Sequence, residues 1–362
     1  MKTEKAAPKY VELAKWINDQ IQNKELRAGQ KMYSENELRE MFGVSRQTVR
    51  HAIGLLEQQG ILRSVRGSGT YVNDNRQTNL AKKMRVSVIT TYVDGYIFPR
   101  MIQGIENVLV DSGYSVQIAF TNNQHGREKT ILEDILSRDE VSGIITETTK
   151  SAIPNPNLNL YREVMKRRIP IIFLNSFYPE LQIPHVSLND YMVGRKMTKY
   201  LIDMGHTKIA GIFKLDDLQG RLRYSGFADA MYDAGLDIKD QNILWLDTED
   251  TSQIGKQASR ILERSKDCTA LFCYNDLVAY GVLDVFKKAG IRVPQDISLA
   301  SVDNANLATM SEIGITTAPH PMEQLGKKAS ETLLRMIRDP FFDANYEFDA
   351  DIVERDSVRR LQ

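Results

Sequence analysis

The sequence predicts an α/β protein in which a small winged helix-turn-helix domain precedes a larger body of two similar lobes. Two observations support this prediction. Residues 8–72 contain three helical segments and then a glycine-rich turn between two short β-like pieces. From Arg85 onward, apolar segments alternate with amphipathic ones, and the cycle runs twice. We expect a head at 1–72, a linker at 73–84 and a body at 85–362.

The head contains the signals of three short helices. The segment PKYVELAKWINDQI has its apolar residues at helical spacing. Ser34 and Glu37 have the spacing of a capping box, in which each side chain bonds the other's backbone N–H, so a second helix is expected there. Gly43 ends that helix, and Ser45 is placed to cap the next, which runs to about Gln59. The pieces ILRSV and TYV then flank RGSG, which is typical of a tight hairpin.

The third helix carries polar residues at its N-terminal end, in SRQTVR. A helix fits the major groove of B-DNA and meets base edges with its N-terminal residues. Arg46 and Arg50 lie four residues apart on one face, and each can bind guanine through two hydrogen bonds. Gln47 suits adenine, and Thr48 suits a thymine methyl group or a phosphate. The competing interpretation is an ordinary solvated helix, which the adjoining capping box and hairpin disfavour.

The glycine-rich hairpin is the second candidate DNA contact. Arg66 is placed to enter the minor groove or to meet a phosphate. Gly67 and Gly69 allow the turn and a close approach of the backbone to DNA. A nucleotide-binding phosphate loop is the rival interpretation of RGSGT. We discard it because the Lys-Ser/Thr pair and the following helix of such a loop are missing.

The charge is distributed unevenly although the formal net charge is zero. The first 85 residues contain 16 basic and 9 acidic residues, so their net charge is +7 and that of the remainder is −7. A basic head points to nucleic acid, although chance variation between domains explains the difference equally well. The sequence contains neither a signal-peptide pattern nor an apolar run of membrane-spanning length, so a cytoplasmic location is expected.

The body has the pattern of parallel sheets covered on both faces. Strands are expected at RVSVITTY, YSVQIAF, VSGIITE and IPIIFLN, and in the second cycle at TKIAGIF, TALFCY and ISLASV, with helices between them. A helix is expected at 252–264. In such Rossmann-type lobes a ligand binds beyond the carboxyl ends of the strands, so a cleft between the lobes is the expected site.

The motifs of common enzyme classes are missing from the sequence. We find no metal-ligand cluster, Gly-x-Ser-x-Gly elbow or dinucleotide fingerprint, and the five histidines are scattered. We therefore expect a binding protein without catalytic residues, metal site or cofactor, and with no membrane partner.

The segment SENELREMFGVSRQTVRHAIGLLEQQGILRSVRGSGTYV resembles the winged-helix domain of the gluconate-operon repressor family. The resemblance covers about residues 8–72. It implies DNA contacts at the following positions: Glu35, Arg46, Gln47, Thr48, Arg50, Arg66 and Gly67. Asn36 stands where that family usually has arginine, so one expected DNA contact is weakened or different.

The body resembles the lactose/galactose repressor family, whose cores are similar to periplasmic sugar-binding proteins. The matching segments include VSLNDYMVGRKMTKYLIDMGHTKIAGI, CYNDLVAYGVLDVFKKAGIRVPQDISLASVDN and TTAPHPMEQLGKKA, in the family's order. The resemblance implies hydroxyl contacts from Arg223, Asn275 and Asp303 and a ligand-facing His320. Arg223 as a surface charge, Asn275 and Asp303 as turn or cap residues, and His320 as a surface histidine are the alternatives.

In the first lobe, five residues stand just after predicted strands, where a ligand of the cleft would lie: Tyr92, Tyr96, Glu147, Lys150 and Asn175. Charged and amide side chains can hold adjacent hydroxyls of a sugar, and aromatic rings can cover its C–H face.

A head of the first family on a body of the second is similar to bacterial repressors of arabinose-utilisation genes. The resemblance implies a homodimer that binds operator DNA and is released by L-arabinose. Another sugar, a co-repressor ligand, or an activator of the same architecture remain alternatives.

Overall fold

The computed structural model describes residues 8–58, 61–65, 67–73, 84–93, 95–138, 140–339, 342 and 345–361. Most of the chain falls into two compact units, one built mainly from residues up to 85 and one mainly from 86–362. The predicted linker lies largely outside the described residues, and the predicted boundaries remain predictions.

The elements are numbered in chain order. The helices of eight or more residues are α1 Lys9–Gln22, α2 Glu35–Phe42, α3 Arg46–Gln58, α4 Phe98–Asp111, α5 His125–Arg138, α6 Leu158–Lys166, α7 Asp190–Asp203, α8 Leu218–Asp233, α10 Ala258–Ser265, α11 Asp276–Lys288 and α13 Met322–Arg338; the shorter ones are α9 Thr248–Ser252 and α12 Leu307–Met310. The strands are β1 Leu62–Val65, β2 Gly69–Val72, β3 Arg85–Thr90, β4 Ser115–Phe120, β5 Gly143–Glu147, β6 Ile171–Leu174, β7 His185–Leu188, β8 Ile209–Lys214, β9 Ile243–Leu246, β10 Ala270–Cys273, β11 Ser298–Asp303, β12 Thr316–Pro319 and β13 Tyr346–Phe348.

The head has the predicted winged helix-turn-helix fold. The capping box is present, since Ser34 Oγ accepts from the Glu37 N–H and the Glu37 carboxylate accepts from the Ser34 N–H. Gly43 ends α2 with φ +59°, which a glycine adopts without strain. The Ser45 hydroxyl accepts from the Thr48 N–H at 3.1 Å and starts α3 as predicted. A shared apolar core, which includes Leu38, then holds the three helices together.

The hairpin of the head pairs β1 with β2 in antiparallel register, with Val65 opposite Gly69. Gly67 lies in the turn at φ +78°. Arg66, the predicted minor-groove contact, lies outside the described residues.

The body consists of two parallel sheets, as predicted. The strand order is β13-β7-β6-β5-β3-β4 in the first and β12-β11-β10-β8-β9 in the second. Four strand pairs of the first sheet (β13–β7, β7–β6, β6–β5 and β5–β3) and four of the second (β12–β11, β11–β10, β10–β8 and β8–β9) are parallel. We call the half built on the first sheet lobe 1 and the half built on the second sheet lobe 2. Because these paired strands are parallel, their carboxyl ends place the following loops at one edge of each lobe.

The main difference from the sequence prediction concerns short elements. Strands β7, β9, β12 and β13 were not predicted. Each has three or four residues, which is too short for a periodic pattern. The helix predicted at 252–264 is interrupted. A capping box of Asp247 and Asp250 starts the separate α9, and Gln253 leaves the helical region at φ −136° before a short 3₁₀ turn and α10.

Helices α7 and α8 pack with their backbones in close contact. A Cβ atom added at Gly194 would lie 2.1 Å from the Arg223 carbonyl oxygen, and one added at Gly226 would lie 2.0 Å from the Tyr191 carbonyl oxygen. The packing fixes the position of Arg223 relative to Asp190, the first residue of α7. None of the described helices is long and apolar enough to cross a membrane.

Candidate functional site: a DNA-reading helix and an interlobe cavity

The N-terminal end of α3 forms an ordered polar surface on the head. Arg46 Nε donates to Glu35 at 2.7 Å, and Arg50 Nε donates to the same carboxylate at 3.0 Å. Both arginine side chains remain 61% exposed, so their other N–H groups face solvent. The two guanidinium groups lower the pKa of Glu35, with the Arg46 hydrogen bond as the largest cause. Glu35 therefore holds two cations side by side at the end of the helix that is suited to base edges.

Two further predicted DNA contacts, Gln47 and Thr48, lie between these arginines in sequence. Gln47 is exposed. The Thr48 hydroxyl lies 2.8 Å from the Ser45 hydroxyl, and its backbone N–H is bound by the same Ser45 oxygen. Farther along α3, the His51 ring stacks on Tyr10 of α1 at 4.0 Å between ring centroids. The structure thus collects Glu35, Arg46 and Arg50 into one group, and the DNA-contact assignments remain predictions.

The body contains a cavity of about 320 Å³ between the two lobes. It is lined by residues that follow strands of both sheets: Thr91, Tyr92, Tyr96, Ile97, Phe98, Asn123, Glu147, Thr148, Lys150, Leu174, Asn175 and Ser176 from lobe 1, and Lys214, Asp217, Gln219, Arg223, Thr248, Thr251, Ser252, Tyr274, Asn275, Leu277 and Asp303 from lobe 2. Eight of the nine predicted effector-binding residues are among them. The size and the mixed lining suit a small polar molecule.

A buried arginine organises the lobe 2 side of the cavity. Arg223 is 1% exposed and donates to Asp190 at 2.8 Å and to the Tyr274 carbonyl oxygen at 2.6 Å. Its guanidinium also lies 3.7 Å from Asp303 and covers the Tyr274 ring. Burial raises the pKa of Asp190 to about 6, against the opposing attraction of Arg223. Burial alone would lower the pKa of Arg223, but Asp190 and Asp303 raise it above its ordinary value. The arginine therefore stays charged and fixes both carboxylates.

A second buried group lies on the lobe 1 side. One Glu147 oxygen accepts from the Thr91 N–H at 2.7 Å and the Thr91 hydroxyl at 3.0 Å, and the other accepts from Asn175. Burial raises the pKa of Glu147 to about 7, although these donors oppose the shift. The Asn175 carbonyl oxygen is buried and has no hydrogen-bond partner among the described residues. An amide side chain offers a donor and an acceptor on its two ends, so Asn175 can turn over and accept when its partner becomes a donor.

Replacing Glu147 by glutamine should remove part of the pH dependence of stability. The folded pKa is raised, so the folded protein binds more protons than the unfolded chain, and stability falls as pH rises from about 4.5 through about 7. Between pH 5 and pH 8 the free energy of unfolding of the wild type should fall by about 2–3 kcal/mol more than that of Glu147→Gln. A turned Asn175 would accept from the new amide. Urea unfolding midpoints of the two proteins at both pH values, without ligand, measure this difference. If the stabilities of the two proteins changed equally with pH, the pKa of Glu147 would not be raised in the folded protein.

The loops around the cavity hold unusual backbone conformations. Seven of the nine described non-glycine residues with positive φ lie in the loops after β3, β4, β5, β6 and β11: Tyr96, Asn122, Asn123, Lys150, Asn175, Asp303 and Asn304. Asp303 reaches φ +110°. Such conformations cost energy and cluster at binding sites, where the surroundings hold them in place. Here the Tyr96 hydroxyl donates to Asp303 at 2.5 Å across the lobes.

The loop after β5 is anchored from behind by a buried carboxylate. One Glu128 oxygen accepts from the Tyr161 and Tyr178 hydroxyls, and the other from Asn155 and Asn157, at 2.7–2.8 Å. Glu128 is fully buried, so these four donors offset the loss of its hydration. The network fixes the loop that carries Lys150 into the cavity.

His320 is the predicted effector residue that the structure does not place on the cavity wall. It is 5% exposed, and neither ring nitrogen has a hydrogen-bond partner among the described residues. Burial lowers its pKa to about 4, so the ring is neutral near pH 7. Its backbone N–H donates to the Asp303 carbonyl oxygen at 3.0 Å, so His320 lies directly behind a cavity loop.

Several lining residues were missed by the sequence analysis, chiefly Asn123, Lys214, Asp217 and Thr248. Asp217 and Thr248 follow β8 and β9 just after the strand ends. The rule that ligands bind beyond parallel strands could have selected Asp217 after the predicted strand TKIAGIF. The same rule could not select Thr248, because the strand before it, β9, was not predicted. Asn275, which was predicted, caps α11 by accepting from the Val278 N–H at 3.0 Å, so it is both a cap and a lining residue.

Comparisons with known proteins agree with this architecture. Residues 9–72 match the bacterial regulatory proteins of the gntR family, and residues 198–358 match a periplasmic binding protein-like domain. The arabinose metabolism transcriptional repressor of Geobacillus stearothermophilus is 36% identical over 99% of this chain and 100% of its own length. That of Halalkalibacterium halodurans is 38% identical over 89% of this chain and 88% of its own length.

The fold is also found among solved structures. The transcription regulator CcpA of Lactococcus lactis superposes with a TM-score of 0.68 at 23% identity, over 76% of this chain and 99% of that one. The similarity to the two repressors spans head and body together, and both predicted resemblances are confirmed. The chain therefore belongs to the family of the arabinose metabolism transcriptional repressors, as a sugar-responsive DNA-binding repressor rather than an enzyme.

Proposed function

We propose that the effector is L-arabinose or a closely related neutral sugar and that it binds in the interlobe cavity. The observation that carries this proposal is the mixture of acidic and basic groups in the lining. Three carboxyl groups (Glu147, Asp217 and Asp303) face three basic groups (Lys150, Lys214 and Arg223), and Glu147 is partly protonated near pH 7 because burial raises its pKa to about 7. A neutral polyol uses both kinds of group, because each hydroxyl donates to a carboxylate and accepts from a cation. The names of the two similar repressors support arabinose within this class.

The proposed roles of the lining residues follow from their positions. Asp303 and Asn275 would hold hydroxyls from lobe 2, and Lys150, Glu147 and Asn175 would hold hydroxyls from lobe 1. Arg223 would act mainly by fixing Asp303. Tyr92 would cover the C–H face of the sugar, since its ring packs edge-on against the Phe98 ring at 5.6 Å and is thereby held at the wall. No metal or redox cofactor enters this scheme.

We infer that the repressor acts in the cytoplasm as a homodimer. The apolar residues Val110, Ile118 and Phe120 are 40–53% exposed. Ile118 and Phe120 lie on one face of β4, an edge strand of its sheet, and Val110 lies on the neighbouring α4. An exposed apolar edge suits pairing with a second copy of this chain. Two heads would then read the two halves of a near-palindromic operator.

Sugar binding would close the body and lower operator affinity. Linkage requires DNA and sugar to weaken each other by the same factor, about 5- to 150-fold for a coupling of roughly 1–3 kcal/mol. Calorimetric titration with L-arabinose, D-xylose, D-ribose and D-galactose, with and without an operator selected from random duplexes, tests this directly. Saturable L-arabinose binding that operator DNA weakens is expected. Binding of another ligand only would overturn arabinose, and binding that DNA strengthens would establish a co-repressor.

Replacing Glu35 by alanine should reduce the discrimination between operator and random DNA by about tenfold or more, because Arg46 and Arg50 lose their common anchor. Affinity for random DNA should stay the same or rise, since a negative charge near the phosphates is removed. Fluorescence anisotropy with both duplexes at several salt concentrations measures the ratio. Glu40→Ala, an exposed acidic residue of the same helix, is the matched control. Equal weakening on both duplexes would argue against a positioning role for Glu35.

A further inference from the structure

Two side chains of the cavity wall form a hydrogen bond between the lobes. The Asn123 amide, in the loop after β4 of lobe 1, donates to the Thr248 hydroxyl of lobe 2 at 2.6 Å. That hydroxyl in turn donates to the Asp216 carboxylate at 2.7 Å. The carbonyl oxygen of the same Asn123 amide accepts from the Lys150 N–H at 2.8 Å. A continuous chain of hydrogen bonds therefore runs from the backbone of a lobe 1 cavity loop to a buried carboxylate of lobe 2.

A second crossing lies beside the first. The Ser151 hydroxyl donates to the Asp217 carboxylate at 3.2 Å and accepts from the Leu218 N–H at 2.9 Å. Leu218 is the first residue of α8, whose leading N–H groups have no partner within the helix. Both crossings connect loops that follow strands of opposite lobes, so their hydrogen bonds exist only when the lobes are together.

The Thr248 hydroxyl is not needed to cap its own helix. Its helix α9 is already capped by Asp247 and Asp250. Asn123 is 4% exposed and sits at φ +53°, a conformation that needs support from its surroundings. Separation of the lobes would break the hydrogen bond from Asn123 to Thr248, whereas the bond from Thr248 to Asp216 lies within lobe 2 and would remain. We propose that Asn123 and Thr248 form a latch that stabilises the closed body and thereby sets effector affinity.

This proposal rests on the proposed function in one respect, the coupling of closure to effector binding. If only the closed body binds the sugar tightly, the measured Kd equals the intrinsic Kd divided by the closed fraction. Loss of one neutral hydrogen bond that forms on closing should then raise the Kd about five- to tenfold. The same change should shift the ligand-free body toward the open state.

The test compares Thr248→Val, which keeps the shape and removes the hydroxyl, with Thr248→Ser, which keeps the hydroxyl. Asn123→Ala and the double variant complete a cycle, and Thr309→Val, an exposed hydroxyl of lobe 2, is the control. Spin labels at Glu133→Cys and Glu263→Cys, exposed on α5 and α10, report the interlobe distance without ligand. Titration with L-arabinose reports the Kd.

Thr248→Val and Asn123→Ala should each lengthen the distance between the spin labels without ligand and raise the Kd for L-arabinose. The Kd of the double variant should be no higher than that of either single variant, because both remove the same hydrogen bond. Thr248→Ser and Thr309→Val should match the wild type. Unchanged distances in Thr248→Val and Asn123→Ala, or a Thr248→Ser variant as open as Thr248→Val, would overturn the latch. If the wild type binds no sugar, the proposed function fails, while the ligand-free distances still decide on the latch.

Discussion

Arg223→Met should abolish the response to effector and destabilise the body by about 3–5 kcal/mol. The guanidinium is 1% exposed and lies between two buried carboxylates, Asp190 and Asp303. Methionine fills a similar volume but leaves both carboxylates without their cation, and the Tyr274 carbonyl oxygen loses its donor. An uncompensated buried charge is the costly part of such a substitution. Urea unfolding, and operator binding with and without L-arabinose, measure the two effects.

The charge account of Arg223 also predicts a partial rescue. Asp190→Asn removes one of the two stranded charges, so the double variant should be more stable than Arg223→Met alone. Arg138→Met is the control, because that arginine pairs with Asp134 at the surface and is 60% exposed. Arg138→Met should lower the free energy of unfolding by less than about 1 kcal/mol. A double variant less stable than Arg223→Met would show that packing, and not charge, dominates at this position.

Gly194→Ala should destabilise the body by roughly 3 kcal/mol, because the new methyl group would meet the Arg223 carbonyl oxygen at 2.1 Å. Neither the new Cβ atom nor the carbonyl oxygen can rotate away, since both positions are fixed by a helix backbone. The helices must therefore separate, and Arg223 moves with α8. We expect a lower thermal midpoint together with weaker effector binding.

Gly126→Ala is the matched control for Gly194→Ala. Gly126 also lies in a helix, but an added Cβ would have no atom within 4 Å. The control should be neutral or stabilising by up to about 1 kcal/mol, since alanine favours a helix over glycine. If both substitutions changed stability equally, the close packing of α7 against α8 would not be the cause.

The elements with strong local signals were predictable from the sequence. The capping box of Ser34 and Glu37 located the start of α2, and the near-continuous apolar runs located the strands at the centres of both sheets. Strand β13 was not predictable, because three residues with two exposed side chains carry no pattern. It becomes a strand only because β7 lies beside it.

The candidate site was predictable as far as it depends on strand ends, and Glu147, Lys150 and Asn175 are examples. What the sequence could not supply is which side chains meet. The sugar contact expected of Arg223 remains a prediction, and its hydrogen bonds to Asp190 and to the Tyr274 carbonyl oxygen were not predicted. Asn123 and Thr248 are 125 residues apart, and their contact is set by the approach of two lobes. Such contacts depend on the tertiary structure and produce no local pattern in the sequence.

The backbone conformations around the cavity have a consequence for engineering. Glycine at Asp303 or Lys150 would relieve strain at φ +110° or +44° and at the same time remove a side chain from the cavity wall. At these positions glycine is favoured by the backbone conformation, whereas effector recognition requires the side chain that is present. A library selected only for heat resistance would be drawn toward repressors that no longer respond to their effector, so such a selection must alternate with one for the effector response.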